Sequence, residues 1–342
     1  MQFIYDPDSF NTPINPKDPL SSNRGLTGRE RCVFAYIDYL SSLNYPVSVY
    51  SKFSECIRVG SVSYSDKELE LSGVVVHIGK YLPEFRGKKN ILFYPYAESV
   101  GTPRKKYSDL DLVIVPNDQA KWNISDRIYL NIEDINKFKS FKFSSLIYPR
   151  NSIQKMVIYS SRWDKGLKEL LLAWAGVHKS HPDAVLKLPG LKNKLNKFIE
   201  WDRDHNIDGI EKYQQYGDRA RLCKSVLYKL HDSGIEVMDT VSVHEVRRLI
   251  AHSACLVYPT NGLEKYSYHA SSIADALGCG APIIADGCPS LYDAGAKYIK
   301  FVNTSSITSL SQAISHYLSH PTTNPQIGGE KYSELHKIVM AI

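Results

Sequence analysis

A chain of 342 residues, 43% hydrophobic and 23% charged, has the make-up of an ordinary globular protein and exceeds what one compact core usually holds, so two domains are expected. Its net charge of +6 is spread evenly, with 20 Lys and Arg against 17 Asp and Glu in residues 1–150 and 22 against 19 after them. That distribution argues against nucleic acid as a partner, where affinity comes from clustered phosphate contacts. No apolar run approaches the roughly 20 residues that span a bilayer, and the opening MQFIYDPDSF has no basic segment followed by an apolar one, so a cytoplasmic location is expected.

Phe3-Ile4-Tyr5 reads as a first strand, and Asp6 to Arg24, rich in Pro, Asn, Ser and Asp, as a long loop. Gly25-Leu26-Thr27-Gly28 then leads into Cys32 to Leu40, whose apolar residues recur with helical spacing, so N–H groups near Gly28 are placed to face a phosphate. Pro46 to Tyr50, Gly73 to Ile78, Asn90 to Tyr94 and Leu110 to Val115 are short apolar strands of the kind covered on both faces, which predicts a parallel α/β domain. Arg127 to Asn131 reads as its last strand and Lys137 to Asn151 as a linker.

The rhythm restarts with a strand at Lys155 to Tyr159, then Ser160 to Gly166 and a helix from Leu167 to about His178. Ala184 to Leu188 is a strand broken by Pro189-Gly190; residues 191–232 are charged and helical, most clearly Lys224 to Leu230. Ile235 to Met238 is a strand and His244 to His252 a helix. Cys255 to Tyr258 is a strand stopped by Pro259; a polar loop follows, then a helix from Ser271 ended by Gly278 and Gly280, and a strand at Ala281 to Ala285. In open α/β sheets, ligands sit beyond the carboxyl ends of strands, facing helix N-termini, and the loop from Thr260 to Ser271 lies at such an end. The fold class expected is α/β with two Rossmann-like domains facing a central cleft: residues 1–150, residues 151–325, and a tail over 326–342, helical from Lys331, packing back on the first domain.

The six cysteines form no CxxC pair and read as buried free thiols. Basic clusters at Arg86-Gly87-Lys88-Lys89 and Arg104-Lys105-Lys106 read first as solvated loops and, as the alternative, as contacts to an anionic membrane surface or a charged acceptor. Asp109-Leu110-Asp111 opens a strand rather than following one, so it reads as structural, and no metal is expected.

Several landmarks, in order, resemble the family 4 retaining glycosyltransferases of the GT-B fold. Ser161-Arg162 with Lys165-Gly166 resembles the family's Arg/Lys-Gly donor-phosphate motif, Thr240 to Leu249 its base-contacting loop and helix, and Asp275 to Pro282 its Glu-Ala…Gly-x-Pro segment. In the first half, Thr27 to Arg31 resembles the Gly-Gly-Ala-Glu-Arg entry to the first helix, and Asn131 to Asp134 the Asn-Gly-Val-Asp turn. Counting back the family's seven-residue acid spacing from Asp275 lands on Ser267; Glu264 supplies that acid if the loop has gained three residues. Arg162 and Lys165 also stand closer together than the family's pair.

The resemblance implies a metal-independent retaining transferase with a nucleotide-diphosphate sugar, UDP- or GDP-linked, as co-substrate and no other cofactor. Arg162, Lys165 and Glu264 are then the catalytic candidates. Gly28, Ser161, Thr240, Val241, Tyr268, His269, Ser271, Ser272 and Asp275 are donor-binding candidates, Asp275 for the ribose hydroxyls. Tyr94, Tyr96 and Glu98 lie on the side of a glycan or glycoconjugate acceptor. Such enzymes are thought to let the acceptor attack on the leaving-group face while the departing phosphate takes its proton. Two readings stand beside this one: a nucleotide-sugar epimerase or hydrolase of the same architecture, and an altered GT-B protein that binds glycans or a partner without catalysis.

Overall fold

The computed structural model describes residues 1–5, 16–17, 28–51, 53, 55–66, 73–79, 82–93, 109–115, 136–141, 147–192, 195–196, 199, 211–260, 271–287, 291, 296–327 and 331–341. The chain divides into two compact units, Met1–Phe143 with Glu330–Ile342, and Ser144–Gly329.

Unit 1 begins with strand β1 (Gln2–Tyr5), followed by helix α1 (Gly28–Ser42) and strands β2 (Val47–Tyr50), β3 (Ile57–Val59), β4 (Val62–Ser65), β5 (Val74–Ile78), β6 (Lys89–Phe93), β7 (Leu112–Val115) and β8 (Phe138–Ser140). The sheet order is β3-β4-β2-β1-β5-β6-β7-β8. All neighbours run parallel except the β3–β4 hairpin. Phe3 pairs with Val49 on one side and Val76 on the other, so β1 is central. The continuous apolar runs behave as expected for strands covered on both faces: β7 is buried throughout. Two elements depart from the sequence reading. The hairpin went unread because β3 is short and largely exposed. The start of the expected linker is β8, the edge strand of the sheet, whose Phe138 is 2% exposed between two lysines. Residues 127–131, expected to form the last strand, lie outside the described residues.

Unit 2 contains strand β9 (Met156–Ile158), helix α2 (Leu167–Ser180), β10 (Val185–Leu188), α3 (Glu211–Lys229), β11 (Ile235–Val237), α4 (Val243–His252), β12 (Cys255–Tyr258), α5 (Ser271–Cys279), β13 (Ile283–Ala285), β14 (Ile299–Phe301) and α6 (Ile307–Ser319). The strands form one parallel sheet in the order β11-β10-β9-β12-β13-β14. Alternation along β9 feeds two cores. Val157 faces Leu167, Leu171 and Trp174 of α2 with Leu310 and Ile314 of α6. Met156 and Ile158 face Val246 and Ile250 of α4 with Ile273 and Leu277 of α5. Each such side chain, fully buried, contributes about 1.5–3 kcal/mol. Trp174 also donates from Nε1 to the Ser233 carbonyl at 2.7 Å, which satisfies its polar atom. Gly278 lies inside α5; Gly280, at φ +66°, ends it.

Helix α7 (Lys331–Met340) belongs to unit 1 and packs on α1. Tyr332 stacks on Tyr36 at 6.3 Å between ring centres, and the Tyr36 hydroxyl meets His336 Nδ1 at 3.2 Å.

Candidate functional site

In both sheets the chain first builds outward on one side of its opening strand and then returns to the other side. Strand order therefore reverses between β1 and β5 in unit 1 and between β9 and β12 in unit 2. Beyond the carboxyl ends of strands at such a reversal is where open α/β sheets bind ligands.

In unit 2 that place is crowded with polar groups. The chain leaves β9 through Tyr159 and Ser160 into a turn, Arg162 to Gly166, closed by the Lys165 N–H to the Arg162 carbonyl at 3.0 Å. The Tyr159 hydroxyl, on a side chain 0% exposed, donates to the carbonyls of Arg162 and, at 3.1 Å, Lys165. Gly166 then opens α2 with φ +71°, and a Cβ there would stand 2.1 Å from the Pro259 carbonyl oxygen. Only glycine meets both demands, the left-handed backbone and the close approach to the end of β12.

Three contacts bind the β9 side to the β12 side. Besides Gly166 against Pro259, the Lys165 ammonium donates to the Tyr258 hydroxyl at 3.0 Å and lies 5.5 Å from its ring centre. The Ser272 hydroxyl, in the first turn of α5, donates to the Ser160 carbonyl at 2.8 Å. The N-termini of α2 and α5 are thus drawn to neighbouring strand ends, where the dipoles of first-turn N–H groups favour an anion. The Ser160 hydroxyl oxygen is buried there with no hydrogen-bond partner among the described residues. Such an orphan calls for a water or a ligand. Further along the same edge, Asp286 after β13 accepts from the Thr304 N–H at 2.9 Å and from the Thr260 hydroxyl at 3.4 Å.

Among the sequence-derived residues, Ser161, Lys165, Ser271 and Ser272 lie at this reversal. Arg162 lies there too, but its side chain is 69% exposed and forks onto Asp164, with Nε 2.9 Å from Oδ1. Thr240 and Val241 follow β11, the sheet's far edge, and Val241 packs against the α4–α5 core. There the Ser242 hydroxyl caps α4 by accepting from the Glu245 N–H at 3.2 Å. Gly28 is the first residue of α1, in unit 1. Glu264, Ser267, Tyr268, His269, Tyr94, Tyr96 and Glu98 lie outside the described residues.

Asp275 differs from expectation. Its carboxylate is 0% exposed and accepts from Arg247 Nε at 3.0 Å, with Arg247 itself 2% exposed. An unpaired carboxylate at this depth is costly, and the guanidinium of α4 supplies the counter-charge. The pair fastens α5 to α4, so the ribose role is not carried forward. Tyr159, Tyr258 and Ser160 went unread as site residues because strand-end tyrosines and serines carry no signal until the partner element is known.

Two outlying expectations also meet the structure. Asp109 and Asp111 precede β7, and Asp111 accepts from the Asn90 N–H at 2.7 Å, a structural role as expected. Arg86 and Lys89 face Asp109 and Asp111 at 3.7 and 3.4 Å, which offsets two of the three positive charges of that basic loop. Cys32, Cys223, Cys255 and Cys279 are buried free thiols, but Cys56 is exposed, with its thiol donating to Asp66 at 2.8 Å.

No protein-family model matches the chain, and no curated protein matches its sequence. Solved structures do match it over nearly its whole length. The trehalose-6-phosphate synthase OtsA superposes with a TM-score of 0.61 at 8% identity, covering 100% of this chain and 96% of that one. A UDP-forming α,α-trehalose-phosphate synthase from Burkholderia vietnamiensis gives 0.57 at 10%, covering 99% and 96%. This is the GT-B fold. WaaG, a glycosyltransferase involved in lipopolysaccharide biosynthesis, shares it with a TM-score of 0.55 at 14% identity, covering 100% and 99%. At such identities the likeness establishes the GT-B fold of two Rossmann-like domains and leaves the chemistry to the residues. No helix among the described residues is long and apolar enough to cross a membrane.

Proposed function

We propose that the chain is a retaining glycosyltransferase that moves a sugar from a nucleotide-diphosphate sugar to a hydroxyl of a glycan or glycoconjugate. The observation that carries this reading is the strand-order reversal between β9 and β12, where the Lys165 ammonium, the Ser160 hydroxyl, buried without a partner among the described residues, and two helix N-termini meet. Departure of a nucleoside diphosphate develops negative charge on its phosphate oxygens, and fixed cations with aligned N–H groups stabilise that charge without reorganising. Lys165 supplies the charge and the first turns of α2 and α5 the N–H groups. In this reading they serve the diphosphate without a metal ion, and an attack on the leaving-group face requires no carboxylate nucleophile from the protein.

The GT-B fold shared with the synthases above favours this class, and the UDP-forming neighbour makes UDP the first donor base to test. The acceptor side is placed in unit 1, at residues 94–98 and the loop before α1. A thermal-shift panel of UDP, GDP, ADP and their sugars is the first experiment, since a ligand held by the native state raises the melting temperature. Nucleotide release that depends on a sugar acceptor then separates transfer from hydrolysis and epimerisation. The burial of Asp275 against Arg247 favours, as second reading, a GT-B protein that binds glycans without catalysis. No stabilisation by any nucleotide of the panel would support it.

A further inference from the structure

Lys165 is held at both ends. Its carbonyl is fixed by the Tyr159 hydroxyl at 3.1 Å, and its ammonium donates to the Tyr258 hydroxyl at 3.0 Å. Tyr258 is 2% exposed, closes β12 and has its ring packed in the α4–α5 core, so its hydroxyl is a fixed point. A lysine side chain has four rotatable bonds and loses up to about 2 kcal/mol of rotamer freedom when ordered. An ammonium that finds its place only after the anion arrives spends that freedom during binding; one already seated does not.

We propose that Tyr258 is a positioning residue: its hydroxyl seats the Lys165 ammonium at the β9–β12 reversal, so that the cation is in place for the diphosphate of the donor. The inference rests on the donor-site reading above. The phenolic oxygen suits the task because it accepts a hydrogen bond without carrying a full negative charge. A carboxylate at the same place would neutralise the cation and compete with phosphate. The contrast lies three residues earlier, where Arg162 is forked onto Asp164 and most of its side chain is in solvent. Of the two cations of the turn, the one on tyrosine is seated by a neutral group and the other by a carboxylate.

The test is calorimetry on the full chain with UDP, GDP and ADP, followed by the tightest-binding diphosphate against its own nucleoside. Tyr258→Phe removes one oxygen and keeps the packed ring. A hydrogen bond to a charged group corresponds to roughly a 10- to 100-fold change, so Tyr258→Phe is expected to weaken the diphosphate at least tenfold. The nucleoside, which has no phosphate, binds as before. Lys165→Ala weakens the diphosphate as much or more, and adding Tyr258→Phe to it costs nothing further, because the tyrosine acts only through the lysine. Should Tyr258→Phe fail to fold, NMR relaxation of the Lys165 side chain in the nucleotide-free wild type replaces it: an ordered ammonium is expected, and one as mobile as an exposed lysine overturns the inference.

A Tyr258→Phe protein with wild-type diphosphate affinity beside a weakened Lys165→Ala overturns the inference alone. Losses that multiply in the double variant, or a nucleoside weakened as much as the diphosphate, also overturn it by showing an independent or merely structural role. Wild-type protein that binds none of the three diphosphates, or Lys165→Ala that binds like wild type, overturns the donor-site reading, and the inference with it.

Discussion

The two units share a reversal of strand order and differ in what the described residues place there. In unit 1 the described residues closing β1 and β5 are Tyr5, Ile78 and Gly79, and His77 just behind them is 0% exposed. Burial pulls the His77 imidazole down to about 4, and its Nδ1 accepts from the Leu82 N–H at 3.4 Å, as only the neutral ring can. In unit 2 the same position carries a lysine ammonium, two tyrosine hydroxyls, a serine hydroxyl without a partner among the described residues and two helix starts. Topology makes a crevice at each reversal; only the residues decide whether an anion has a reason to enter it.

The largest effect expected is structural and confined to unit 2. Asp275→Asn leaves the Arg247 guanidinium buried without its counter-charge, a change that costs about 3–5 kcal/mol in comparable pairs. Urea unfolding followed by tryptophan fluorescence, to which Trp163 and Trp174 of unit 2 contribute, measures it. A variant as stable as wild type but with a raised KM for donor would restore Asp275 to the ribose and redraw the site in unit 2.

Lys165→Ala comes next. Removing one preorganised electrostatic partner of a transition state lowers the rate by on the order of 100- to 1000-fold. Steady-state kinetics with the donor identified by the thermal-shift panel should show that loss in kcat/KM, shared between a lower kcat and a raised KM. An unaltered kcat/KM would leave the two reversals chemically alike.

His77 sharpens the contrast from the other side. Its folded-state pKa lies below the unfolded value of about 6.5, so the neutral ring costs nothing above that pH. Below it the unfolded chain binds a proton that the folded chain refuses until about pH 4. Between pH 7 and 4.5 the protein should therefore lose roughly 2–3 kcal/mol on this account. Urea unfolding followed by circular dichroism should show that loss in wild type and a correspondingly shallower pH dependence in His77→Leu. Equal slopes would mean that unit 1 holds a solvated, chargeable histidine at its reversal.

The smallest effect is assigned to Arg162→Ala. From its motif Arg162 is expected to match Lys165, but its side chain is 69% exposed and its guanidinium is forked onto Asp164, itself only 8% exposed, so its charge is already offset by a carboxylate. A loss of transfer within about tenfold is expected, and a loss equal to that of Lys165→Ala would show that the fork opens to meet the phosphate.

The same contrast shows what the sequence makes legible. Strands such as Leu112–Val115 and Cys255–Tyr258 announce themselves because both faces are covered and every residue is apolar. Gly166 and the helix after it are equally plain. The edge strand β8 is hidden because a strand paired on one side only keeps its lysines, and Lys137-Phe138-Lys139 reads as a linker. Residues 299–319, which form β14 and α6, drew no reading at all, although α6 completes the core over α2. The motif at 161–166 places the site correctly on the sheet, but its partners do not follow from spacing. Tyr258 stands 93 residues from Lys165 and Arg247 28 residues from Asp275, distances that only the packing of β12 on β9 and of α4 on α5 brings to about 3 Å.

Amide hydrogen exchange with and without the tightest-binding of UDP, GDP and ADP compares the two reversals in one experiment. Protection is expected at residues 160–168, 258–260 and 271–275, with residues 2–5 and 74–79 unchanged. Protection confined to the ends of β1 and β5, with the turn after β9 exchanging as before, would contradict the assignment of the nucleotide to unit 2.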